Sequence, residues 1–469
     1  MGHARRQRDT KDERKILINL TGAGRGKVGP VARLSPILPR NIANLARRNR
    51  MDLTSRLEIM NWLAGAGLSG LTETDLVRGF CERSRAAGLE LSHGVVFMDT
   101  LHPIFEGRGF RWSDVETNSS DTFEYGPTSE GEAAERWQRS PFHAMLVSGQ
   151  SERRFGRDEI DSRLIADLGI EGHQDFAVLL HRFGDAGIIG EMDCCYSFWS
   201  MRRPDGFDEA AMGAMRDLVP LLGLAVKSAA HARIARTLGH VYLGRDAAER
   251  VLSGRISRGV ADRINAVLWF SDLRGSTAIG EAMDPAEIIP FLNDYADAAI
   301  GAIHDEGGDV LKLMGDGVLA IFNEDDMDAA RRAALRAENQ FRKNIQTLNE
   351  RRASGNRPTT TAYVGLHVGE VFYGNIGSEE RLDFTVVGPA VNEVSRIASM
   401  CRSIERELLV SSAFLAGINA PGSVHFVSTG RYALRGIGRA EELYTLDPEI
   451  RADGQAASRF ERYLQDRKQ

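Results

Sequence analysis

Two carboxylates, an amide and a guanidinium are spaced along this chain as phosphoryl chemistry would need them. Asp272 closes a short apolar run, 266–270, and is followed by Leu273, Arg274, Gly275, Ser276 and Thr277. An acid at a strand end, with Gly, Ser and Thr opening the next element, puts a metal ligand beside free backbone N–H groups of the kind that cradle phosphates. Asp316 sits in Gly315-Asp316-Gly317, flanked within 309–322 by two alternating runs, which is a hairpin signature. If that hairpin pairs beside the first strand, Asp272 and Asp316 converge, and two carboxylates can bridge two magnesium ions. Taken alone, Asp316 reads first as an acid serving its turn. Asn392 and Arg396 are four residues apart, so a helix shows both on one face. A guanidinium there suits charge building on a phosphate.

These groups need particular elements to hold them. Residues 266–270 suit a buried strand, and Ile288, Ile289, Leu292, Ala296, Ile300 and Ile303 follow it at helical spacing. A glycine-punctuated run, 364–377, leads through a polar loop, 378–381, into 382–389 and then the helix that carries Asn392 and Arg396.

In this order and spacing the three elements resemble the class III adenylate and guanylate cyclases, over nearly all of 263–448. The resemblance implies a ferredoxin-like α/β palm that dimerises head to tail, with active sites at the shared interface. It implies that Asp272 and Asp316, with Leu273, hold two Mg2+ or Mn2+ ions per site, and that Leu273, Gly275, Ser276 and Thr277 line the substrate phosphates. Lys312 would read the adenine ring, paired with Thr385 where many relatives have Asp. Asn392 would position the ribose and Arg396 would stabilise the transition state. The implied reaction is attack of the ribose 3′-OH of ATP on the α-phosphorus, releasing pyrophosphate without a side-chain base. An ammonium and a hydroxyl suit adenine's N1 and N6 edge, whereas guanine-selective relatives usually carry an acid at the Lys312 position. The expectation is therefore an adenylate cyclase acting as a homodimer; a guanylate cyclase, or a silent nucleotide-binding regulator, is the alternative. Three features depart from the family pattern. Ser276 stands where Phe is usual, Pro290 falls inside the first helix and should kink it or shift its start, and Arg435 lies near, but not in fixed register with, a basic residue on the triphosphate.

The rest of the chain sets the context. At 469 residues it is long enough for two folded domains plus connections. The formal net charge of −6 removes a bulk electrostatic argument for nucleic acid. No 18-residue stretch is uninterruptedly apolar; the best, 218–226, contains Pro220 and runs into Lys227, so no membrane insertion is expected. Nor does the start show the apolar core of a secretory signal. Cys81, Cys194, Cys195 and Cys401 lack zinc-ligand spacing and read as reduced thiols in a cytoplasm.

Residues 1–51 read as a basic, disordered arm, in which 22–27 resembles a phosphate loop only superficially. Residues 52–228 read as one α/β domain. It has helices around Leu57–Leu63 and over 76–87 (with Thr72 and Asp75 placed as a capping box) and strands at 94–98, 176–183 and 191–201. The long polar segment 105–139 reads as a lid over a ligand. The ending, a Pro-Gly turn and then Phe207-Asp208 starting a helix over 208–230, resembles a GAF-type sensor, whose ligand would be an unidentified small molecule. His143, His181, Cys194 and Cys195 read as core residues before they read as haem or redox groups. Residues 229–262 form a helical connector with an apolar seam (Leu238, Val241, Tyr242, Val251, Leu252) suited to a dimer spine. A polar tail, 449–469, closes the chain.

Overall fold

The structure is a computed structural model that describes residues 51–447 apart from 116–120, 130, 185–188, 191, 204–205, 417 and 419–425. Of the arm expected at 1–51 only Met51 is described, and the tail expected at 449–469 lies outside the described residues. The first half opens with α1 (Leu53–Ser69) and α2 (Glu73–Ala86), the latter capped by the Thr72 hydroxyl accepting from the Asp75 N–H. There follow β1 (His93–Asp99), β2 (Gly107–Ser113), β3 (Thr122–Tyr125), α3 (Gly131–Arg139), α4 (Pro141–Ser148), β4 (Glu152–Gly156), α5 (Ser162–Leu168), β5 (Asp175–Arg182) and β6 (Cys194–Met201). The six strands form one antiparallel sheet in the order β3-β2-β1-β6-β5-β4. Every residue of β6 is buried, because both sheet faces are covered. Trp199 packs with Phe80 and Leu222 on one face, while Phe198 packs with Phe142 and Phe176 on the other. Strand side chains alternate faces, so a doubly covered strand reads as a continuous apolar run.

The segment 105–139 is not a lid. It carries β2, β3 and α3. A Cβ at Gly107 or Gly109 would collide with the rings of Tyr125 and Phe123, their partners across the β2–β3 register. Those aromatics fill space that two glycines leave open, so a polar, glycine-bearing sequence here pairs as a sheet edge.

Helix α6 (Glu209–Leu243) is capped by the Asp208 carboxylate, which accepts from the Ala211 N–H, and runs unbroken past the expected end at 230. By length and composition it is apolar enough to cross a membrane. Its side from Met212 to Ile234 is buried in the core that holds Phe80 and Trp199. The expected seam is divided: Leu238 packs on this first core and Val251 on a core of the second sheet, while Val241, Tyr242 and Leu252 are exposed. Gly244, at φ +87°, turns the chain into α7 (Arg245–Leu252). A Cβ there would lie 2.6 Å from the Val310 carbonyl, so only glycine fits.

The second half comprises β7 (Ala261–Leu273), α8 (Ser276–Ala282), α9 (Pro285–Asp305), β8 (Asp309–Met314), β9 (Gly317–Phe322), α10 (Met327–Ser354), β10 (Ala362–Gly377), β11 (Leu382–Val387), α11 (Pro389–Ser403), β12 (Leu408–Ser411), α12 (Ser412–Leu415), β13 (Phe426–Ala433) and β14 (Ala440–Leu446). The sheet order is β13-β14-β12-β10-β7-β9-β8, with β11 hairpinned onto the far half of β10. Among the described residues only β10 and β12 pair in parallel. Trp269 and Val267 face α9 and α10; Leu268 and Ala266 face α7, β11 and α11. The first helix is split, but not at Pro290: α8 ends at an extended Met283, α9 restarts with Pro285 in its first turn, and α9 runs on through Pro290. Pro290 has no N–H to give the preceding turn.

Candidate active site

The site is assembled at the C-terminal end of β7. The register Ser271↔Val318 sets Asp272 beside the tight β8–β9 turn, whose Gly315 has φ +67° and whose tip is Asp316. The two carboxylates lie within hydrogen-bonding reach of each other. Burial first, and the Asp316 charge second, push the Asp272 carboxyl up to about 6. Two acids held together at a half-buried strand end are a donor set that lacks its counter-charge. Mg2+ and Mn2+ fit them, because such hard ions take one or two carboxylates and complete their shells with water and substrate phosphate. Among the described residues no cluster of three or more His, Cys, Asp or Glu forms an all-protein cage. The Leu273 side chain is buried, so its backbone is what it can offer. Gly275, at φ +72°, opens α8, and Leu273, Ser276, Thr277, Gly315 and Asp316 line one hollow. That hollow joins the Asp316 carboxylate to the first residues of α8.

A second hollow adjoins Asp272, lined by Arg274, Gly275, Tyr363, Arg402, Glu405 and Arg406 among others. Tyr363 is the cross-strand partner of Asp272, and the Arg402 charge acts on the Asp272 carboxyl. Sequence reading missed Arg402 because it lies on the last turn of α11, far along the chain. It named Arg435 as lying near, but not in fixed register with, a triphosphate-facing cation. Arg435 is exposed in the turn after β13, at the sheet edge opposite the β8–β9 hairpin, and the structure does not bring it to Asp272 within the chain.

The base-reading candidates form a separate group. Lys312 Nζ donates to Asp383 Oδ2 at 2.5 Å, and Thr385 is two residues further along β11, on the same strand face. Asp383 went unnoticed in the sequence. Its link to Lys312 depends on β11 curling over the sheet to meet β8, as the shared packing of Phe384, Val386, Leu311 and Leu319 shows. Asp272 pairs with Tyr363 at the start of β10 and Thr385 with Gly374 near its end.

Asn392 and Arg396 are exposed on α11. Two glycines on one face of β10 let this helix lie close to the sheet. A Cβ at Gly365 would meet the Val394 carbonyl and the Ala398 N at 2.8 Å, and one at Gly369 would meet Ala390 at 2.5 Å. The buried side of α11 (Ala390, Val394, Ile397, Ala398, Cys401) fills that trough. Exposed apolar residues surround these polar groups: Leu313 and Met314 on β8, and Phe372 and Val387, which are cross-strand partners.

The four cysteines are free and buried; burial pushes the Cys195 and Cys401 thiols up to about 12.

Among curated proteins, the chain is 32% identical over 168 residues to an adenylate cyclase of Anabaena cylindrica, covering 36% of this chain and 34% of that one. It is 28% identical over 207 residues to adenylate cyclase 1 of Rhizobium meliloti (strain 1021), covering 43% and 30%. The chain thus spans about a third of the length of these curated relatives. Among solved structures, the adenylyl cyclase CyaB from P. aeruginosa aligns with 40% of this chain and 96% of its own, at 25% identity and a TM-score of 0.37. Residues 261–448 match the family model of the adenylate and guanylate cyclase catalytic domain.

Proposed function

We propose that this chain is an adenylate cyclase that converts ATP to 3′,5′-cyclic AMP and pyrophosphate at sites shared between two copies. The observation that carries the reading is the meeting of Asp272 and Asp316 beside the Gly275 amide turn, inside the segment that matches the cyclase catalytic domain. Asp272 and Asp316 would hold the two divalent ions, which when bound lower the pKa of the ribose 3′-OH and neutralise the triphosphate. The amides of 275–277 receive phosphate oxygens, and Arg274 and Arg402 add positive charge where the leaving pyrophosphate gathers negative charge. Arg396 stabilises charge on the transferring phosphoryl group and Asn392 orients the ribose. Lys312 donates to adenine N1, while Asp383 or Thr385 accepts from the N6 amino group.

A second copy is needed in this reading because the groups form two half-sites. The acids face the start of β10; Lys312, Asp383 and Thr385 cluster at the β8–β11 contact toward its end. The exposed apolar residues around the second group give a partner chain a surface to bury. The first sheet, with its order β3-β2-β1-β6-β5-β4 and helices on both faces, supports a GAF-like domain that controls the catalytic one through α6.

The test is cyclic-nucleotide production by purified protein across a dilution series, with ATP or GTP and Mg2+ or Mn2+. The Lys312–Asp383 pair also matches guanine's O6 and N1–H, so competition between the nucleotides decides the base. Asp272→Ala and Arg396→Ala should each be inactive. Mixed, they should recover about a quarter of wild-type activity, since half the dimers carry one intact site. No recovery on mixing would refute the shared site, and no product from either nucleotide would refute the cyclase.

A further inference from the structure

Strand β8 carries one residue more than its partner can match. Asp309 pairs with Ile321 and Val310 with Ala320, but the next pair is Lys312 with Leu319, so Leu311 has no opposite residue and bulges. The faces follow from this register. Ile321 and Leu319 point to the α7–β11 side of the sheet and Ala320 to the α9–α10 side. Val310 goes with Ala320, as its packing there shows. Strict alternation from Val310 would return Lys312 to the α9–α10 side. The bulge turns it to the α7–β11 side instead, since a shift of one residue changes the face. That is the side on which Lys312 Nζ donates to Asp383 Oδ2 at 2.5 Å. The base-reading candidate takes its direction from the bulge.

The bulge has a seat. The Leu311 side chain is 7% exposed and lies in one core with Ala247 of α7, against which Leu243 and Val251 also pack. Helix α7 is fastened at its start to β8. Its N-cap residue, Gly244, has no side chain to accept the first N–H groups, and Asp309 Oδ1 accepts the Arg245 N–H at 3.1 Å in its place. The Asp246 N–H is a second donor to the same carboxylate, and the Tyr373 hydroxyl lies 3.5 Å from Oδ2. The close approach of the two backbones at Gly244 and Val310 makes this reach short. At its far end α7 is tied to β7, where Arg250 Nη1 donates to Asp262 Oδ2 at 2.7 Å. Asp309 thus ties the connector to β8, three residues before Lys312.

We propose that Asp309 is a positioning residue for base recognition: by capping α7 it seats that helix on Leu311, and the bulge so held turns Lys312 toward the nucleotide base. The proposal rests on the cyclase reading. Beyond Lys312 the pairs Leu313↔Val318 and Met314↔Gly317 run regularly to the turn that carries Asp316, and Asn392 and Arg396 stand on α11. Loosening the bulge therefore frees Lys312 while the metal acids and the transition-state groups keep their places, which raises KM and spares kcat.

Asp309→Ala removes the acceptor. Expected are a KM for ATP raised about tenfold, the size of a lost hydrogen bond to a charged group, a kcat within about twofold of wild type, and a narrower preference between ATP and GTP. Asp309→Asn, whose Oδ1 still accepts from the Arg245 N–H, should recover most of the loss. In a Lys312→Ala background Asp309→Ala should change KM by less than about twofold, because its effect runs through the ammonium. Gly244→Ala, whose Cβ would lie 2.6 Å from the Val310 carbonyl, lifts α7 with Asp309 in place. It should raise KM in the same way, and it carries the test if Asp309→Ala does not fold. A wild-type KM in folded Asp309→Ala overturns the proposal. So does an Asp309→Asn variant as weak as Asp309→Ala, or a KM loss that adds in full to that of Lys312→Ala. If the wild type makes no cyclic nucleotide, the cyclase reading fails and this one with it; an active wild type beside any of those three results removes the role of Asp309 alone.

Discussion

At the scale of the residue, the meeting of Asp272 and Asp316 costs stability and prepares binding. Burial first, and the Asp316 charge after it, raise the energy of the Asp272 carboxylate, and the Asp272 carboxyl, pushed up to about 6, records that cost. Asp316→Asn removes one of the two charges. In chelator at pH 7.5 the variant should melt a few degrees above the wild type, yet gain nothing from added Mg2+ and make no cyclic AMP. A melting temperature equal to or below that of the wild type would show that the two acids do not repel. Turnover in the variant would remove Asp316 from the metal site. The acids were legible in the sequence because each stands at a strand end or a hairpin tip, and local pattern marks both positions. Asp383 and Arg402 were not legible. Asp383 meets Lys312 because β11 folds back over the sheet, and the Arg402 charge reaches Asp272 because the last turn of α11 returns to the start of β10. No local pattern reports a contact made by the curl of a sheet.

At the scale of the element, α11 shows how the backbone of one strand sets the reach of a helix. Gly365 and Gly369 are four residues apart in β10, on the face that α11 covers. In the sequence they read as punctuation in a strand, which marks close backbone approach without naming the partner. Gly365→Val should lift α11 and cost about 1–3 kcal/mol by overpacking, with kcat falling alongside stability as Asn392 and Arg396 move. Gly438→Ala is the control, because a Cβ there meets nothing within 4 Å. If Gly365→Val melts and turns over like Gly438→Ala, the close approach of α11 is unnecessary. The segment 105–139 failed at this same scale. Its polar residues suggested a lid, while Gly107 and Gly109 had reserved space for Tyr125 and Phe123, fourteen or more residues away. Strand pairing is a non-local property, and glycines opposite aromatics hide it.

At the scale of the whole molecule, the described chain builds two sheets with separate cores, joined by α6 and α7. The sequence showed the two halves by their patterning; the unbroken run of α6 to Leu243 was obscured by the glycines at 239 and 244. The cores differ in how they depend on acid. Burial lowers His93 to about 3 and His173 to about 4 in the first sheet, each lowered further by neighbouring positive groups, and lowers His367 to about 4 in the second. A histidine held neutral in the fold takes up a proton on unfolding once the pH drops below its ordinary value near 6.5. Its share of stability is therefore complete above about pH 6.5 and is lost as the pH falls toward 4. Burial also lowers His181 and His231 in the first half and His304 in the second, so four such groups against two make the first half the more acid-sensitive. Trp269 is the only tryptophan in the second sheet, whereas Trp62, Trp112, Trp137 and Trp199 lie in the first half, so variants keeping Trp269 or Trp199 alone report each core separately. Thermal scans from pH 7.5 to 4.5 should show the Trp199 transition falling more steeply than the Trp269 transition, and His93→Phe should flatten that fall. Equal slopes for the two probes, or an unchanged slope in His93→Phe, would mean that the buried histidines do not govern the acid limit.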